Sequence, residues 1–123
     1  MRITIKTKDN LPLTDELRGF VEEKIEKLKK LIREDDTVAL AEVELAKIVG
    51  GQKKGEIYHA EINLAYTHGF VRAESTHETL HHAIEEVVLE ARTELRKKLG
   101  RERDLMRRGA MKVKKLLRRF KGT

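Results

Sequence analysis

The chain has 123 residues, of which 39% are charged and 4% aromatic, with no Cys and a formal net charge of +6. That length suits one domain with a single core. The composition excludes a disulfide framework and a thiolate site, and no apolar run is long enough to cross a bilayer. The opening "MRITIKTK" alternates instead of forming the apolar stretch of a signal peptide, so a cytoplasmic protein is expected.

In "RITIKT" Ile3 and Ile5 share one face, which predicts a strand. Thr14 is placed as an N-cap, with Asp15 and Glu16 set against the helix dipole. Leu17, Val21, Ile25, Leu28 and Ile32 then recur at helical spacing over residues 14–33. "TVALAEVELA" alternates as a second strand, and "KIVGGQKKG" reads as a mobile connection. "EIYHAEINLAY" is a third strand. "THG" is a tight turn, with Gly69 able to take positive φ, and "FVRAES" is the fourth strand. A second helix is expected from Thr76 to Leu99, striped by Leu80, Ile84, Val87, Ala91 and Leu95 and stopped at Gly100. The order β-α-β-β-β-α predicts an α+β fold, a two-layer sandwich with both helices on one face of a four-stranded sheet. Its first two strands should be parallel through a right-handed crossover, and the others should form a meander.

One motif competes with this reading. His77-Glu78-Thr79-Leu80-His81 spells H-E-x-x-H, which on a helix would present two imidazoles to zinc and a Glu to water. The same stretch also spells a capping box, Ser75 to Glu78, which gives the Glu a structural role. The chain offers no third ligand at the expected spacing, since Ile84 and Val87 stand where Gly and His would be. A minimal zinc hydrolase is therefore the alternative; the favoured expectation is no enzyme and no cofactor.

The positive charge is uneven. Residues 1–100 hold 17 Lys and Arg against 19 Asp and Glu, whereas residues 101–123 hold 10 against 2. The chain thus divides into a near-neutral domain at 1–100 and a basic tail at 101–123. In the tail Met106, Ala110, Val113, Leu117 and Phe120 make one helical face, and Gly109 suggests a helix completed only on a partner. Such a segment can meet RNA phosphates, a membrane surface or an acidic protein groove, so a membrane- or protein-docking module acting through the tail is a further alternative. With so few aromatics, clamping a folded RNA by charge and shape fits better than stacking on bases.

The order of elements, with basic residues flanking both helices, resembles the ribosome hibernation promoting factor family, which includes ribosome-associated inhibitor A. "LTDELRGFVEEKIEKLKKL" is similar to the family's first helix through Leu13, Thr14, Leu17, Arg18, Lys24, Ile25, Lys27 and Leu28. "THETLHHAIEEVVLEARTEL" is similar to its second helix through Leu80, Ala83, Ile84, Glu85 and Leu95. The resemblance covers residues 1–98 and is of the short type, while Glu90 and Thr93 stand where the family usually has Lys and Arg. It implies a monomer that binds small-subunit rRNA in the messenger and transfer RNA channel and blocks initiation, with neither a small-molecule substrate nor a membrane. The expected RNA contacts are Lys24, Lys27, Lys30, Arg33, Arg92, Arg96 and Lys97. In the tail they are Arg107, Arg108, Lys112, Lys115, Arg118 and Arg119.

Overall fold

The computed structural model describes residues 1–8, 11–48 and 55–121, the side chains of Phe120 and Lys121 excepted. Its elements are β1 (Arg2–Lys8), α1 (Asp15–Lys29), β2 (Leu40–Ile48), β3 (Ile57–Tyr66), β4 (Gly69–His77) and α2 (Leu80–Lys121). The sheet order is β1-β2-β3-β4, with β1 parallel to β2 and the remaining pairs antiparallel. This is the expected α+β sandwich.

Register explains why one sheet face is apolar. Ile5 lies opposite Val43, Val43 opposite Ile62, and Ile62 opposite Ala73, so the inward residues of four strands form one row. Side chains alternate across a strand, and Ala41, Val43 and Leu45 of β2, Ala60, Ile62, Leu64 and Tyr66 of β3, and Val71, Ala73 and Ser75 of β4 are accordingly buried. A single core joins that face to Val21, Ile25 and Leu28 of α1 and to Ile84, Val87, Ala91 and Leu95 of α2.

α1 starts where its cap predicts, with the Leu17 N–H donating to Thr14 Oγ1 at 3.1 Å. It ends at Lys29, short of the expected 33. There the chain tightens into bonds from Leu31 N to Leu28 O and from Ile32 N to Lys29 O, a common way to satisfy the last carbonyls of a helix. Asp36 then ties the following loop to the far hairpin. Its carboxylate accepts from Val38 N, Ala39 N, Thr67 N and Thr67 Oγ1, which holds its pKa below the usual aspartate value, the Thr67 backbone N–H foremost.

Three expectations are corrected. Gly69 is the first residue of β4 and takes no positive φ. A Cβ there would lie 2.8 Å from the Tyr66 hydroxyl, so any larger residue would push the Tyr66 ring aside. The β4 strand runs on to His77, which puts Ser75 in the sheet as a buried residue whose hydroxyl has no hydrogen-bond partner; it is not a helix cap. The cap of α2 is Thr79, whose hydroxyl accepts from His82 N at 3.2 Å and whose carbonyl accepts from Ala83 N. Finally, Gly100 is no stop, because α2 runs unbroken through it from Leu80 to Lys121, 42 residues in all. Of the connection expected at 47–55, Lys47 and Ile48 extend β2 and Gly55 has φ of 115°; the rest lies outside the described residues.

Candidate nucleic-acid interface

α1 and α2 lie in contact on the sheet and leave a groove of about 220 Å³ between them, lined by Lys24, Lys27, Glu85, Val88, Leu89 and Arg92. The sequence places the cations here through one property of each helix. Lys24 and Lys27 border the buried Val21, Ile25 and Leu28 on α1, and Arg92 follows the buried Ala91 on α2. Both therefore flank the line of helix contact.

Lys24 is mostly covered. Its ammonium sits 3.9 Å from Glu85 Oε1 across the groove and 5.3 Å from the centroid of the Phe20 ring. Phe20 is in turn met edge-on by His81 at 4.3 Å. Arg92 is half-buried, and its Nε is shielded from water with no hydrogen-bond partner. A buried charged donor left unpaired is costly; Arg92 lines the groove wall, but its Nε meets a ligand there only after the side chain shifts. Glu85 supplies one negative charge among three positive ones.

A second, larger recess of about 720 Å³ lies at the C-terminal end of α1 beside the β3–β4 turn. It gathers Lys30, Arg33, Arg96 and Arg103 around Asp36 and Glu102. Arg33 is already engaged by Asp35, at 3.1 Å from Nε and 3.2 Å from Nη2, so its charge is partly spent locally. Arg103 was not among the expected contacts. Its signal was available, since it follows Arg96 by two helical turns. Lys97 lines neither recess and faces Glu94 at 3.4 Å. Arg107, Arg108, Lys112, Lys115, Arg118 and Arg119 lie on the exposed continuation of α2, away from both recesses. Glu90 and Thr93 are exposed, and the Thr93 hydroxyl donates back to Leu89 O.

The H-E-x-x-H spelling does not fall on one helix. His77 is the last residue of β4, Glu78 and Thr79 form the bend, and His81 is in the first turn of α2. The His77 ring meets His82, at 4.8 Å between centroids, while His81 meets Phe20, so the two motif imidazoles face different neighbours. On the open sheet face His59, Glu61 and Glu74 hold ligand atoms within 4.8 Å of one another. The Arg72 guanidinium already sits on both carboxylates, at 2.9 Å from Glu61 and 2.6 Å from Glu74, and a metal ion would have to displace it.

The family model described as sigma 54 modulation protein / S30EA ribosomal protein matches residues 3–103. The N-terminal domain of Protein Y from Thermus thermophilus is 29% identical at a TM-score of 0.65, covering 79% of this chain and 98% of its own. A ribosomal subunit interface protein from Coxiella burnetii shares the fold at 13% identity and a TM-score of 0.63, covering 81% and 99% respectively. No curated protein sequence matches the chain.

Proposed function

Because the chain belongs to the sigma 54 modulation protein / S30EA ribosomal protein family, we propose that it is a non-enzymatic ribosome hibernation factor. In this reading it binds small-subunit rRNA in the channel used by messenger and transfer RNA, and it blocks initiation by occupying that channel. The observation that carries the reading is the convergence of Lys24, Lys27 and Arg92 from two helices on one groove, with Lys30, Arg96 and Arg103 in the adjoining recess.

The chemistry is that of phosphate recognition. Lys ammonium groups and the Arg92 guanidinium can each take a phosphate oxygen, while Glu85 penalises a phosphate placed directly against Lys24 and so favours one alignment of the backbone. Base stacking on the sheet is disfavoured, since Phe70 is the one Phe or Tyr on its open face among the described residues. Residues 1–100 form the binding domain, and the tail at 101–123 adds electrostatic affinity through Arg107, Arg108, Lys112, Lys115, Arg118 and Arg119. The protein acts as a monomer in the cytoplasm, where ribosomes are.

Co-sedimentation with purified small and large subunits at two salt concentrations tests this. Saturable binding to the small subunit, competed by messenger and transfer RNA, is expected. Each phosphate contact should contribute about −0.7 to −0.9 to the slope of log affinity on log salt. Lys24→Glu with Lys27→Glu should abolish the saturable component. Equal, salt-labile binding to both subunits would sink the proposal.

A further inference from the structure

Beyond Glu102, every described side chain of α2 as far as Arg119 is exposed. Leu105, Met106, Val113, Leu116 and Leu117 are between 54% and 75% exposed, a run of large apolar groups that a monomer in water does not stabilise. At 3.6 residues per turn these five fall on one half of the helix together with Ala110. Arg107, Arg108, Lys112, Lys114, Lys115, Arg118 and Arg119 fall on the other half, where Met111 is the sole apolar residue. The apolar half prolongs the line of Ile84, Val87, Ala91 and Leu95 that packs on the sheet. The same seam therefore runs from the core out past the end of the domain.

Phosphates alone do not satisfy this surface, because they neutralise the cationic half and leave the apolar half wet. A second copy does not satisfy it either. Pairing two such stripes in either direction would set the border that carries Lys112 and Arg119 against another cationic border, since residues 105–121 contain no Asp or Glu. The complementary surface is apolar with a polyanion beside it.

The overhang lies largely outside the family match, which ends at residue 103, and it is joined to the binding domain by unbroken helix. The docked domain therefore aims it at whatever lies next on the same particle. We propose that the exposed half of α2 docks on an apolar patch of a small-subunit ribosomal protein at the margin of the rRNA, the apolar half on the protein and the cationic half on phosphate. This rests on the ribosome-binding reading above.

The test uses the full chain, a stripe variant (Val113→Gln with Leu117→Gln) and a charge variant (Lys112→Gln with Lys115→Gln). Gln is a good helix former, and circular dichroism checks that the helix is kept. Each is titrated onto intact small subunits, protein-free small-subunit rRNA, and vesicles of phosphatidylglycerol with phosphatidylcholine. The stripe variant should bind intact subunits about tenfold more weakly and protein-free rRNA as the unaltered chain does, whereas the charge variant should weaken on both. A stripe variant that binds subunits normally overturns the proposal, as does an equal loss on subunits and bare rRNA. Loss confined to the vesicles would reassign the stripe to a lipid surface. Failure of the unaltered chain to bind subunits would show before any variant is made, and it would overturn the ribosome-binding reading itself.

Discussion

Ser75 and Thr79 compete for the entry to α2, and the two assignments predict different mutants. Thr79 accepts the His82 N–H, so Thr79→Ala should cost about 1 kcal/mol in urea unfolding. The Ser75 hydroxyl is buried without a partner, so Ser75→Ala should be neutral or stabilising; a loss like that of Thr79→Ala would restore the capping box. The sequence hid this because the box is a local pattern, whereas β4 is extended to His77 by pairing with Tyr58, 19 residues away. A second residue gives a pH test. Burial, and then the hydrogen bond to Glu102, push the Tyr66 hydroxyl up to about 12. An unfolded tyrosine ionises near pH 10, so its contribution is whole below about pH 10 and is lost as pH rises toward 12. The urea midpoint should fall more between pH 9 and 11 for the unaltered chain than for Tyr66→Phe.

Among the elements, the strands and the core face of both helices were legible, because periods of 2 and 3.6 report burial directly. Val21, Ile25 and Leu28 are fully buried on α1, and Ala41, Val43 and Leu45 are buried on β2. Helix ends were less legible. Gly100 looked like a stop, yet the helix passes through it, because one glycine costs only about 1 kcal/mol against strong helix formers on either side. Gly109 has the same standing, and a Cβ there meets nothing within 4 Å. Gly109→Ala should therefore raise the helical signal of the full chain and steepen its thermal loss, and an unchanged spectrum would mean the overhang is already fully helical in solution. The cations of the first groove were legible as borders of the apolar stripes. Their meeting with Glu85 was not, because it depends on how α1 and α2 lie against each other.

At the scale of the molecule, the charge ledger had already separated a near-neutral body from a cationic end, but it could not say how the two are joined. The join is stiff. Tyr66 bonds to Glu102, and the Lys98 ammonium donates to Phe70 O, so the hairpin grips α2 just before it leaves the domain. A helix so held has a fixed angular setting as well as a direction. Inserting two alanines after Arg103 would lengthen it by about 3 Å and rotate everything beyond by about 200°, whereas seven would lengthen it by about 10 Å and return nearly the original azimuth. If the far end only adds charge, both insertions should bind small subunits alike. If it has a seat of its own, the two-residue insertion should lose the affinity that the Val113→Gln and Leu117→Gln pair loses. The seven-residue insertion then measures how much axial slack the seat allows. The long helix makes the chain a goniometer for the particle it sits on, able to register angle and span in a single binding constant.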